Sequence, residues 1–470
     1  MCTIKHMRLV ILCFIFLSHY GFSNTKIYGS AINGYGQFVH VFTIDDYITN
    51  AETLIYSTSV IENDQFYIEL EDEGTRNIVI RINNSYAKLY IQNEATYFIE
   101  FPEESIDVIP YFSGNETEIL FFRLDSTDIN YKILGFEAWM DDELADLYIL
   151  KEVEPVKFIQ GILQFKADVQ KEYRNDTSEF FKSYIKYSLG KNVDNIHYFG
   201  APSNESKFDF FIKNEKIQYH NPAYMEFVCD FYDSYIYRMA KNLRGPVMES
   251  IYTQNSQNMI RALSYDSLVP NEEFAELIAL KIIQEEYKHS NLPKNNLIHI
   301  TRQIEDNSLS FENRKIAYNL IEEFYTIIEG DPIPKIQLTK DIKLESPKNK
   351  YLYIHFFNPN NPSSLSEISA LRRLYDKYKS SIFFISIYLD QTSILSPLAE
   401  RVLDVITWNV YALKYEHAIW DALNIGSFPY YILANSKQQI VRMPALGPNP
   451  NGLYETIEKT FYDIQKSRNE

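Results

Sequence analysis

The chain has 470 residues, enough for two or three domains, and 46% of them are hydrophobic, ample material for ordinary globular cores. Its 63 acidic and 45 basic residues give a net charge of −18. Such a surface repels nucleic-acid phosphates and anionic lipid headgroups, so neither is an expected partner. The 37 tyrosines and 31 phenylalanines carry no functional reading by themselves, because core packing uses aromatic residues as readily as a binding surface does.

Residues 1–23 read as a secretory signal peptide. Lys5 and Arg8 form the charged region, Leu9 to Leu17 the apolar region, and Gly21-Phe22-Ser23 supplies small residues for cleavage after Ser23. The apolar run is too short to make a good membrane span, and no later segment is long and apolar enough for one. Removal of the signal leaves Cys229 as the sole cysteine, which excludes an internal disulfide. A periplasmic or secreted location is expected.

Residues 24–118 read as β-structure. Phe38–Ile44, Thr53–Val60, Gln65–Leu70, Asn77–Ile82, Ala87–Ile91 and Thr96–Phe101 are short runs of strand formers at regular spacing, the pattern of a small β-sandwich. Residues 119–328 read as helical. Asp128–Leu150, Pro155–Tyr173, Thr177–Leu189, Glu272–His289 and Phe311–Ile328 carry the helical period. Over Asn221–Tyr235, Pro222 suits the first turn, and Tyr224, Phe227, Val228, Phe231 and Tyr235 fall on one face. Glu329 to Pro334 breaks the helical pattern as an extended linker.

Residues 329–470 alternate between strand and helix. Tyr351–Phe357 is a strand, Ser366–Tyr378 a helix, and Ile382–Leu389 a nearly continuous apolar run suited to a buried parallel strand. Gln438–Arg442 and Tyr454–Gln465 read as a later strand and the closing helix. The expected fold class is thus multidomain α+β: an N-terminal β-sandwich, a helical middle and a C-terminal α/β domain.

Within residues 330–470 the chain resembles a TlpA-like thioredoxin-fold envelope protein. Gly330, Pro334 and Leu338 match the approach to the first strand, and Leu423–Leu433 resembles the stretch whose proline, here Pro429, is cis in that family. The opening Ile27–Ala31 and the segment around Tyr219–Met225 resemble the β-domain and helical insert of larger relatives. The resemblance places Asn361 and Ser364 where the family carries its two redox cysteines. Thiol–disulfide exchange needs an attacking thiolate, and no cysteine follows Cys229. A thioredoxin-like domain without the redox chemistry is therefore expected. The resemblance also implies a groove for an extended peptide, lined by Asn361, Ser364, Phe428 and Pro429, with the backbone of Phe428 offered for strand pairing.

Other chemistries find weaker support. Ser364-Leu365-Ser366-Glu367 fits a capping box with Ser364 as N-cap. A hydrolase would need a base beside Ser364, and His355 on the preceding strand is the nearest candidate in sequence. Cys229, within an aromatic helix, reads as a buried inert thiol, and a disulfide-exchange enzyme would have to work through it. The scattered histidines and acidic runs lack metal-ligand spacing, and no phosphate-cradling glycine loop is present. A non-enzymatic module binding a protein or extended peptide, without a cofactor, is the expected function. A thiol–disulfide oxidoreductase is the alternative.

Overall fold

The computed structural model describes residues 24–469 apart from 72–73, 83–84, 103–114, 197, 199, 290–291, 326–328, 346, 360, 391–396, 415–416, 424, 426–427 and 451–455. The signal-peptide reading of residues 1–23 lies outside the described residues.

The first region holds β1 (Asn24–Ala31), β2 (Phe38–Ile44), β3 (Glu52–Ser59), β4 (Gln65–Glu71), β5 (Arg76–Ile82), β6 (Ser85–Ile91), β7 (Thr96–Phe101), β8 (Asn115–Glu116) and β9 (Leu120–Phe121). They pair into two sheets, in the orders β4-β1-β7-β9 and β3-β2-β5-β6-β8. Successive side chains on a strand face opposite ways. Val39, Val41, Ile78, Ile80, Ala87 and Leu89 of one sheet therefore meet Ile27, Phe66, Ile68, Tyr97 and Ile99 of the other in a single core. The pairing runs past residue 118, since Phe121 aligns with Ile99 across β7 and β9.

The second region holds α1 (Ile129–Val153), α2 (Pro155–Glu172), α3 (Glu179–Asn192), α4 (Asn204–Phe211), α5 (Pro222–Phe231), α6 (Tyr235–Arg238), α7 (Lys241–Tyr252), α8 (Ser256–Ser264), α9 (Glu272–His289), α10 (Lys294–Asn307) and α11 (Phe311–Phe324). Their apolar faces share one core that includes Phe136, Phe165, Phe227, Ile278 and Leu320. Caps fix several starts: the Asp128 side chain accepts from the Asn130 amide, and Asn221 from the Tyr224 amide. The periodic run over 221–235 is not one helix. It stops at Phe231 and restarts after Ser234, whose φ of 51° is left-handed. Arg238 stabilises the break by donating to the carbonyl of Phe231, which the first helix leaves unpaired at its end, and to that of Asp233 just beyond it.

The β2–β3 loop keys the first region into the second. Ile48 belongs to the helical core. Buried Asp46 accepts from the Asn319 amide at 2.8 Å, and Gln284 donates to the Ile48 carbonyl at 2.6 Å. Asn130 at the start of α1 exchanges two 2.7 Å hydrogen bonds with the backbone of Tyr90, much as a neighbouring strand would.

The third region holds β10 (Gln337–Thr339), β11 (Ile342–Lys343), β12 (Tyr351–Phe357), α12 (Pro362–Ser366), α13 (Ile368–Tyr378), β13 (Ile382–Leu389), α14 (Pro397–Asp404), β14 (Asn409–Leu413), α15 (Ile419–Ala422), β15 (Tyr430–Ala434), β16 (Ile440–Arg442) and α16 (Glu458–Asn469). The main sheet has the order β14-β13-β12-β15-β16. β12, β13 and β14 are parallel, β15 is antiparallel to β12, and β16 is antiparallel to β15. Leu352, Ile354 and Phe356 serve the core on one face, whereas Tyr353 serves that on the other. Burial on both faces explains the unbroken apolar runs of β12 and β13. The Phe428–Pro429 peptide is cis, as the resemblance implies.

The linker is tied to this sheet. The Gly330 amide donates to the Ile440 carbonyl, the Ile440 amide to Asp331 and the Ile333 amide to Gln438. No helix among the described residues is long and apolar enough to cross a membrane.

Candidate functional site: a three-walled cleft

Strand alternation leaves a second face on the β3-β2-β5-β6-β8 sheet. Phe38, His40 and Phe42 of β2, Asn77 and Arg81 of β5, and Tyr86, Lys88 and Tyr90 of β6 all lie opposite the core side. Register brings them together: His40 aligns with Arg81, Arg81 with Tyr86, and Asn77 with Tyr90. Phe38 and His40 stack at 5.7 Å, and the Arg81 guanidinium lies 5.5 Å from the Phe42 ring and 4.9 Å from that of Tyr86. Burial lowers the His40 pKa.

This face forms one wall of a cleft of about 1850 Å³. α1, α3 and α5 supply a second wall through Ile133, Glu137, Tyr184, Lys191 and Glu226. The third region closes it with Asn358, Asn361, Trp420, Phe428 and Tyr430. The cleft's cations are committed: Arg81 pairs with Glu52 at 2.9 Å, Lys88 with Glu116 at 3.3 Å, and Lys191 with Glu226. Glu137 instead accepts a hydrogen bond from the Tyr184 hydroxyl. Burial raises the Glu137 pKa, and the nearby Asp141 and Glu226 carboxylates push the same way against that hydrogen bond. Asn77 is the cross-strand neighbour of Tyr90, whose ring meets that of Tyr184 edge-on at 6.2 Å.

The four sequence-predicted site residues divide. Asn361 and Phe428 line the cleft, and the Phe428 ring meets Trp420 edge-on at 5.8 Å. Ser364 is fully buried, and Pro429 is buried behind Phe428. The capping assignment is corrected. Asn361, not Ser364, starts the helix: its carbonyl accepts from Leu365 and its side chain from the Ser364 amide at 3.4 Å. Pro362 suits the first helical position. Glu367 cannot close a box on Ser364, because it is buried and accepts from the Tyr431 hydroxyl.

His355 is no base for Ser364. Its ring is buried between Phe357 and Tyr431, and Nδ1 lies 3.1 Å from Ser386 Oγ, which also accepts from the Trp408 indole at 2.8 Å. Burial pushes its pKa down to about 3. Cys229 is partly buried beneath the Tyr47 carbonyl, and burial pushes its thiol up to about 11. A thiol so shifted is a poor nucleophile near neutrality.

No protein-family model matches the chain, and no curated protein matches it by sequence. Solved structures do match. A thiol:disulfide interchange protein from Bacteroides sp. is 18% identical, over 31% of this chain and 93% of its own, with a TM-score of 0.25. A thiol-disulfide oxidoreductase from Bacteroides fragilis is 13% identical, over 30% and 99%, with a TM-score of 0.23. A thioredoxin-like protein from Bacteroides caccae covers more, 58% of this chain and 96% of its own, at 13% identity and a TM-score of 0.28.

The first two cleft walls escaped the sequence reading. Glu137 and Tyr184 sit on ordinary amphipathic helices, and nothing local marks them. One signal was present: Phe38, His40 and Phe42 repeat an aromatic ring on the side of β2 away from its buried valines.

Proposed function

We propose that this chain is a redox-inactive, thioredoxin-like protein of the bacterial envelope, periplasmic or secreted, that binds an extended protein or peptide segment in the three-walled cleft. The observation that carries the reading is the placement of Asn361 and Phe428 on the cleft, at a loop that has no cysteine to react. An extended segment gains main-chain hydrogen bonds by lying beside exposed backbone, and side-chain pockets then select its sequence. The aromatic wall of β2 and β6 supplies large rigid contact area at small entropic cost. On this reading the β-region and helices are the other two walls of the receptor.

A photo-crosslinking residue in place of Phe428 tests this in cells that make the protein. Adducts with partner segments that disappear on Pro429→Ala support the cleft as the site. Adducts no more abundant than those from a crosslinker at exposed Tyr462 overturn it. The oxidoreductase alternative has to run through Cys229. Native-state alkylation at neutral pH is expected to leave Cys229 unmodified, with full labelling after unfolding. Rapid native labelling would revive that alternative.

A further inference from the structure

The cleft's acceptors are unevenly satisfied. Asn77 is only 8% exposed, and among the described residues its Oδ1 has no hydrogen-bond partner. It lies on the cleft side of β5, at one end of a row of side chains: Tyr90 is its cross-strand neighbour, and Tyr184, which donates to Glu137, meets the Tyr90 ring edge-on. A buried carbonyl oxygen without a donor costs about 1–3 kcal/mol, so a ligand that brings donors gains there. Glu137 is also short of a partner in kind. Among the described residues no lysine, arginine or histidine forms an ion pair with it, and the three cations lining the cleft are held by Glu52, Glu116 and Glu226. This end of the cleft therefore presents acceptors and an uncompensated carboxyl, walled by tyrosine rings.

Resting on the reading of the cleft as a peptide site, we infer that this end is a specificity pocket for a basic side chain, a lysine or arginine of the bound segment. The cationic head pairs with Glu137, and Asn77 supplies a second acceptor along the same row. The tyrosine rings suit the aliphatic stem and attract the charge through their faces. An acidic side chain is excluded by the carboxyls. A neutral apolar one leaves both acceptors unmet.

The test uses the mature full chain and fluorescence anisotropy with labelled serine–valine peptides alike except for a central lysine, norleucine or glutamate. The lysine peptide is expected to bind about tenfold more tightly than the norleucine peptide, and the glutamate peptide more weakly than either. In Glu137→Gln, which retains an acceptor for Tyr184, the lysine-to-norleucine ratio should fall toward one. Asn77→Ala should lower the ratio in part. Circular dichroism of each variant checks that the fold is retained. Equal binding of all three peptides overturns the pocket and leaves the peptide-site reading standing. A lysine preference that survives Glu137→Gln overturns the assignment to this end. Failure of every peptide to bind, even at high concentration, overturns both.

Discussion

Two groups of buried polar side chains sit at opposite sides of the cleft, and they are finished differently. Beneath the Asn361 loop, His355, Ser386 and Trp408 form one hydrogen-bonded set and Glu367 and Tyr431 another, all packed among rings of the α/β core. At the seam between sheet and helices, Asp46, Asn130 and Asn319 bind two regions together, and beside them the Tyr90 and Tyr184 rings lie between an orphaned Asn77 oxygen and the Glu137 carboxyl. The first group supports a loop, and its one orphan among the described residues, His355 Nε2, is sealed inside the α/β core away from the cleft. The second begins as a closed seam and ends at Asn77 and Glu137, two residues that line the cleft. Buried polar groups stabilise only when their partners are complete, so of the two orphans the one on a cleft-lining residue is where a ligand has most to offer. The family resemblance points to the loop, whereas the unmet polar demand lies across the cleft from it.

The sharpest way to break the first group is Tyr353→Ala. Its buried ring stacks on Tyr431 at 5.4 Å and its hydroxyl donates to the Leu446 carbonyl at 2.7 Å. Truncation should cost about 4 kcal/mol, read as a lowered denaturation midpoint of the third region. Glu367 gives a pH signature for the same group. Burial raises its pKa to about 7, so between the ordinary carboxyl range and pH 7 the folded chain binds more protons than the unfolded one. Stability is then greatest on the acid side of that window and falls by about 3 kcal/mol as pH rises through it. Glu367→Gln should flatten the slope. A flat profile in the wild type would show that the carboxyl is not buried as described.

At the seam, Asp46→Ala removes the acceptor for Asn319 and for the Ile48 and Thr49 amides. A loss of about 2 kcal/mol is expected, with faster amide exchange in the β2–β3 loop. Similar exchange in both proteins would mean that the loop is held by Ile48 packing alone. The smallest effect belongs to Asn361→Ala. Loss of the cap on the Ser364 amide should cost about 1 kcal/mol, and Asn361→Asp should restore it. An Asn361→Ala protein as stable as the wild type would remove the capping role from Asn361.

Local pattern was enough for much of the fold. β2 and β4 to β7 follow the runs of strand formers, because alternation across a half-buried sheet is written in consecutive residues. The β12 and β13 runs declare burial on both faces, and Pro222 declares a helix start. Where two local signals competed, the reading failed: Ser364 and Glu367 look like a box, yet Asn361 with Pro362 starts the helix one turn sooner. The break at Ser234 was hidden because it depends on Arg238 and on Glu285, which accepts from the Ser234 amide across 51 residues.

The sequence by itself determined that the loop carries no cysteine, since none follows Cys229. It also determined the alternation that leaves Phe38, His40 and Phe42 off the core side of their strand. Only the tertiary structure decided what that second face meets. Glu137 and Tyr184 come to Asn77 and Tyr90 because Asn130 and the β2–β3 loop dock the sheet on the helices. That docking joins residues far apart in the chain, and no local periodicity encodes it.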